Sequence, residues 1–450
     1  MIRIFLLLAV FVTTLPAIAQ ERLATSREIT LGPYEYETKP DDAEFAKFNP
    51  RKAPQPGPLM VRKGDALAVI GDSITEQKMY SRIMETYFTV CVPELEVTVR
   101  QYGWSGEKAD GFLRRMDQDC LTFNPTLATL CYGMNDARYR PYDATNGRWY
   151  RDHYTAVVRK LKDADCRVVV GSPGCSGKIA TWVKQRSGTL DEHNLNLCTL
   201  RDISIEIAES ENVGFTDHFW PMYQQQVFAG RKYSTPENPY QVTGKDGIHP
   251  GWAGHVMMAY GFLRSLGLSG DLGTITIDMT GNTASAQNGH AVDSIVDGVA
   301  TITSSRYPFC AAGATDDDNS IRSGMTLVPF NESLNRMTLK VTGLTTNKAK
   351  ITWGEHSQVF AAADLQTGIN LADKFVDNPF CDAFNRVDEA VAAKQAFETH
   401  QVKKVFHSKE AKLDFQKAVK ETEAERKPLV EKIATAFEKV THTIKVSPVQ

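Results

Sequence analysis

Between residues 65 and about 270, apolar runs recur at 66–70, 97–102, 126–132, 167–170 and 213–217. Each has the length of a buried strand. Between them lie helix-length segments such as 150–162 and 194–210. Alternating strand and helix predicts a parallel sheet with helices on both faces, and ligands in such sheets bind outside the carboxyl ends of the strands. From about residue 272 the rhythm changes. "GTITIDM" alternates with period two, "SIVDGVATIT" carries an Asp-Gly hairpin signal, and "RMTLKVTGL" and "AKITWGEHSQVF" continue the strand-and-turn pattern. These predict a small antiparallel β unit over 271–372. Farther on, Phe384, Val387 and Val391, then Leu429, Ile433, Phe437 and Val440, recur at helical spacing among charges, so 373–450 is expected to be helical. Residues 20–63 are polar and proline-rich and read as an extended leader lying on a 64–270 unit.

Composition adds little. Of 450 residues 42% are hydrophobic and 23% charged, the balance of a globular chain able to bury a large core. A net charge of -3 lacks the basic footprint of a nucleic-acid partner. The N-terminus says more. A short positive start, an apolar run at 4–12 and the small-x-small sequence Ala17-Ile18-Ala19 make residues 1–19 a secretory signal peptide, too short to span a bilayer. No later stretch is long and apolar enough to do so. The first cysteine, Cys91, lies far past the expected cut, which argues against a lipid anchor. The mature protein is therefore expected to be secreted or periplasmic. Eight cysteines permit disulfides in that compartment, but their spacing shows neither a zinc site nor a dense disulfide framework. Cys131 reads as a buried thiol, and the pairing stays open.

Four polar, glycine-bearing loops fall at one edge of the predicted sheet. "GDS" at 71–73 follows the first strand, and "YGWSGEKA", with Gly103 and Gly106, follows the second. "CYGMNDARY", with Gly133, Asn135 and Asp136, follows the third; "GKDGIHPGWAGH", with Asp246 and His249, comes after the last strand and a long loop. A serine hydroxyl is a weak nucleophile and requires a base. Ser73 is the candidate nucleophile and His249 the candidate base. Asp246, three residues earlier, is close enough along a turn to hold the imidazole in one tautomer. Pro250 suits the first position of a following helix. An oxyanion needs preorganised donors, and the N–H groups of Ser73 and Gly106 and the amide of Asn135 are the candidates.

In these residues the chain resembles the SGNH hydrolases, or GDSL-type esterases and lipases. "GDSIT", "GWSG", "GMND" and "DGIHP" stand in the order of that family's blocks, over roughly 65–267. The resemblance implies a flavodoxin-like three-layer α/β/α sandwich. It makes Ser73 nucleophile and oxyanion donor, Gly106 and Asn135 the other donors, and Asp246 and His249 the rest of a triad. Two positions depart from the pattern: Ile74 replaces leucine, and Gln101 stands where many members carry asparagine.

Plainer readings stand beside these. "GDS" alone is a common strand-ending turn. Ser105, Ser172 and Ser176 are rival serines without a G-x-S-x-G elbow. His218 and His255 rival His249, yet no spacing supports a metal site. "ATDDDNS" at 314–320 offers carboxylates for calcium, but an acidic surface loop is the simpler account. Tyr102, Trp104, Tyr132, Tyr139, Trp220 and Trp252 gather near the loops as a substrate platform or as core. Arg138, Arg140 and Lys245 flank the loops and suit either an anionic substrate or a solvated surface. The resulting expectation is a cofactor-independent, exported serine esterase acting on a small-molecule or carbohydrate ester. A lipid or lysophospholipid esterase is its neighbour, and a silent carbohydrate-binding protein on the same fold is the contrasting class.

Overall fold

The structure is a computed structural model describing residues 34–449. The expected signal peptide and the first part of the leader lie outside these residues. Five strands, β1 (Ala66–Gly71), β2 (Thr98–Gln101), β3 (Leu127–Cys131), β4 (Arg167–Gly171) and β5 (Gly214–Thr216), form one sheet in the order β2-β1-β3-β4-β5. Every pairing is parallel. Leu67 to Gly71 and all of β3 are buried, which is why these strands appear in the sequence as unbroken apolar runs rather than alternations. The helices Tyr80–Val90 and Trp252–Ser265 pack together, and Ala109–Asp119, Ala144–Asp163 and Leu190–Glu211 pack in succession. They are the helical layers of the α/β/α sandwich. The chain leaves β1 for β2 on one side and returns to β3 on the other. The carboxyl end of β1 is thus the switch point where such sheets bind ligands.

The C-terminal region has two more sheets. One, ordered β13-β10-β6-β7, contains β6 (Asp271–Asp278), β7 (Thr283–Ala286), β10 (Arg336–Thr342) and β13 (Ile369–Asn370). It is antiparallel except where β6 lies parallel to β10. The other, ordered β12-β11-β14-β9-β8, is antiparallel throughout and contains β8 (His290–Val296), β9 (Val299–Ser304), β11 (Lys348–Trp353), β12 (His356–Ala361) and β14 (Val440–Val449). The Asp-Gly signal forms the turn between β8 and β9: Asp297 and Gly298 both have positive φ, as a two-residue hairpin loop requires.

The helical expectation for 373–450 holds only in part. Helices run over Cys381–His400 and Phe415–Ala436, but Val440 opens β14, the central strand of the second sheet. Nor do these helices form a detached tail. The Cys381–His400 helix packs on the Tyr80–Val90 helix and on β2, an edge strand of the parallel sheet. Buried Lys394 donates to the Val99 carbonyl on β2 and pairs with Glu85 at 2.8 Å and Glu398 at 2.9 Å. Gln101 hydrogen-bonds Thr399 at 2.7 Å on the same helix, so its departure from the family pattern ties β2 to the C-terminal region. A helix over an open strand edge satisfies its free backbone groups and blocks pairing with another chain. All eight cysteines are free thiols, seven of them buried.

Candidate active site

The site begins where β1 ends. A Cβ at Gly71 would meet Thr75 Oγ1 at 2.1 Å and the Cys131 carbonyl at 2.8 Å, so the strand exit has room only for glycine. Asp72 then accepts the Ile74 N–H at 2.9 Å and caps the short turn Ser73–Glu76, which lifts the serine clear of the sheet. On the far loop, Gly244 lies against the chain it folds back on. A Cβ there would stand 1.9 Å from the His249 carbonyl.

These loops bring three side chains into one line. His249 Nε2 is 2.8 Å from Ser73 Oγ, and His249 Nδ1 is 2.7 Å from Asp246 Oδ2. Asp246 Oδ1 accepts the N–H groups of Ile248 at 2.8 Å and His249 at 2.9 Å. Burial works against the Asp246 charge, but those N–H groups and the imidazole outweigh it and hold the carboxyl below its ordinary value. Asp246 therefore stays ionised near neutrality, as a partner for imidazolium must.

The oxyanion candidates stand beside this line. Among the described residues, neither the Ser73 N–H nor the Gly106 N–H has a protein acceptor. Gly106 has φ +74, a conformation that costs glycine nothing. Asn135 donates to Asp72 Oδ2 at 3.2 Å and the Glu107 carbonyl at 3.1 Å, and its Oδ1 accepts from Tyr139 at 3.2 Å. Both amide protons are engaged, so its donation to an oxyanion would be a shared one.

The rivals have other work. Ser172 Oγ accepts the His218 and Phe219 N–H groups, Ser176 bonds to Asn194 through its backbone, and Ser105 donates to Glu76. Burial drives His218 down to about 4 and His255 to about 3, so both imidazoles are neutral in the core. His255 hydrogen-bonds Gln77 at 3.1 Å, and Gln77 donates to the Pro250 carbonyl at 3.3 Å. That link ties the serine turn to the histidine loop. Tyr102, Tyr132 and Trp220 are buried core. The acidic loop is a clamp: Asp318 accepts the Gln241 N–H through Oδ2 at 2.7 Å and the Ala253 N–H through its carbonyl at 3.0 Å, gripping both flanks of the histidine loop.

One aromatic near the site was not picked out from the sequence. Trp182 is 50% exposed and stacks on the His249 ring at 6.0 Å and 26°. A large indole left half in water beside a catalytic-type imidazole suits substrate contact better than core packing. Its sequence signal is a tryptophan in a polar loop after β4, "KIATWVKQ".

Residues 69–257 match the model of the GDSL-like lipase/acylhydrolase family. The chain carries a GDSL-like lipase/acylhydrolase domain. An acetylxylan esterase of Geobacillus stearothermophilus is 25% identical over 228 residues, which is 46% of this chain and 97% of that protein. A solved structure of an acetylxylan esterase from the same organism is 21% identical, covering 47% of this chain and 97% of its own, with a TM-score of 0.37. A gut microbial diltiazem-metabolizing enzyme is 20% identical, covers 87% of this chain and 100% of its own, and has a TM-score of 0.68. That last likeness shows that the fold extends well beyond the matched domain. The GDSL-like domain is a hydrolase acting on ester bonds.

The domain is braced from the C-terminal region. A π-helical turn, Gln401–Val405, places Lys403 Nζ 2.6 Å from Glu76 Oε1 and 5.2 Å from the Trp104 ring centroid. Glu76 Oε2 accepts the Ser105 N–H, next to the Gly106 donor. Burial opposes the Glu76 charge, but Lys403 and Ser105 outweigh it and keep the carboxyl below its usual value. Lys403→Met should therefore loosen the Gly106 loop and lower kcat roughly tenfold with KM little changed, since small displacements of a positioned donor are costly. Lys403→Arg should keep most of the rate. Steady-state kinetics on both variants checks this, and a change confined to KM would contradict it.

Proposed function

We infer that this protein is an exported serine esterase that removes short acyl groups from alcohols, carbohydrate hydroxyls among them. The observation that carries this reading is the hydrogen-bonded line Ser73–His249–Asp246, with contacts of 2.8 and 2.7 Å. Ser73 Oγ attacks the ester carbonyl while His249 Nε2 takes its proton. The tetrahedral oxyanion accepts from the Ser73 and Gly106 N–H groups and the Asn135 amide. Collapse expels the alcohol, which receives the proton from His249. Water then attacks the acyl-enzyme with His249 as base again, and carboxylic acid and free serine result.

Export is supported by the order of charged, apolar and small residues over 1–19. No described helix is long and apolar enough to cross a membrane. A carbohydrate substrate is supported by likeness to an acetylxylan esterase and by the half-exposed Trp182 ring, a flat apolar face of the kind sugars stack on. The test is hydrolysis of p-nitrophenyl acetate by the mature protein and by Ser73→Ala, with a fluorophosphonate probe on both. Turnover and labelling in the parent, both lost in a folded variant, are expected. Equal turnover in the two proteins would remove Ser73 from the mechanism.

A further inference from the structure

A cavity of about 360 Å³ opens beside the oxyanion candidates and is lined by Gly106, Lys108, Asn135, Arg138, Tyr139, Arg140, Val183 and Gln185. Three of these residues are cations and none is an acid. Gly106 and Asn135 form part of its wall, so the cavity adjoins the proposed oxyanion donors. We propose that this cavity recognises a negative charge on the alcohol portion of the substrate, so that the preferred ester carries a carboxylate, sulfonate or sulfate near the scissile bond. The proposal rests on the reading of Ser73 and the oxyanion donors above and narrows its substrate class.

The cations are held together rather than scattered. Arg138 stands 5.2 Å from the Trp149 ring centroid and Lys108 stands 5.8 Å from the same ring, so one indole carries two like charges. Arg138 and Tyr139 both occupy the left-handed region, with φ +55 and +53. Non-glycine residues pay for that conformation, and such strain persists where the surrounding structure imposes it, often at binding sites. Arg140 Nε is buried without a hydrogen-bond partner. No carboxylate stands within ion-pair distance of Lys108, Arg138 or Arg140 among the described residues, whereas Arg115, just behind, is paired with Glu107 at 2.7 Å.

The acids under the loop have other partners, although Lys108 lies near enough to Asp136 to favour its charge. Glu107 is spent on Arg115 and on the Tyr132 hydroxyl. Asp136 accepts the Ala109 and Gly133 N–H groups, and burial pushes both it and Asp72 up to about 7. Lys245 takes no part; it does not line the cavity, and its carbonyl accepts from Lys178. Two guanidinium groups and an ammonium lining one cavity suit an anion that accepts charge-assisted hydrogen bonds.

The test compares para-acetoxybenzoate with its neutral methyl ester, each rate divided by its rate with hydroxide alone, and adds para-acetoxybenzenesulfonate to separate carboxylate from sulfonate. The parent should favour the anionic esters by about tenfold in kcat/KM, and that preference should shrink with rising ionic strength. The double variant Arg138→Gln with Arg140→Gln should bring the ratio near one. Preference for the carboxylate alone or for both anions supports the proposal and identifies the group. A ratio near one in the parent, with the neutral ester still cleaved in a Ser73-dependent way, overturns the proposal and leaves the esterase reading standing. Hydrolysis of neither ester, or hydrolysis that survives Ser73→Ala, overturns both.

Discussion

His249→Ala should lower kcat for p-nitrophenyl acetate by about 10⁴-fold or more, and Asp246→Asn by about 10³- to 10⁴-fold, with both proteins folded. The reasons differ. Without His249, nothing accepts the Ser73 proton at 2.8 Å, and the hydroxyl is left as a weak nucleophile. Asp246→Asn keeps the size of the side chain but turns an acceptor into a donor where it meets His249 Nδ1 at 2.7 Å. The imidazole then carries its proton on Nε2 and cannot take one from serine. The stabilising charge for the imidazolium goes with it. The two effects should not multiply, because the residues act as a unit. A double variant no slower than His249→Ala is the expected result, with circular dichroism to show that each protein is folded. Losses that multiply would mean that Asp246 acts independently of His249, against the geometry.

The parallel sheet was legible because β1, β3 and β4 are buried on both faces and so spell nearly continuous apolar runs. Among the candidate site residues, Ser73, Gly106 and Asn135 follow strand ends, where glycine, aspartate and serine mark the exits, whereas Asp246 and His249 come only after the helix Phe219–Tyr233. Ser73, Asn135, Asp246 and His249 stand 176 residues apart at the extremes, yet one sheet edge gathers them. What the sequence concealed depends on partners far along the chain. β14 pairs with β9, about 140 residues earlier, and with β11, about 100 residues earlier, and its inward residues His442, Ile444 and Val446 alternate as a strand should. The helical spacing of Leu429 and Ile433 runs into it and masks the change of period. Asp318 reads as part of an acidic surface loop, and nothing local to it or to Lys403 shows that they reach the histidine loop and Glu76.

A chain ending at residue 372 should fail to give a folded, active hydrolase, although the family match ends at residue 257. The cut removes β14 from between β11 and β9, so the second sheet loses its central strand. It also breaks a buried chain of hydrogen bonds. Trp353 donates to His442 Nδ1 at 3.0 Å, which leaves His442 Nε2 to donate to Ser304 and Ser304 to donate to His290, and His290 Nε2 ends on the Leu272 carbonyl. Burial holds His442 down at about 3, so this chain runs through neutral imidazoles. Deleting one member strands buried polar groups, at about 1–3 kcal/mol each. On the other face, Glu85 loses Lys394 and β2 loses its cover. Lys394→Met isolates that last contribution in the full-length protein, and it should cost about 3–5 kcal/mol, because Glu85 stays buried without its cation. Thermal and denaturant unfolding of this variant, beside solubility and esterase rate of the truncated chain, measure the coupling. A truncated protein with the parent's melting temperature and rate would mean that the GDSL-like domain stands alone and that the contacts across β2 contribute nothing to it.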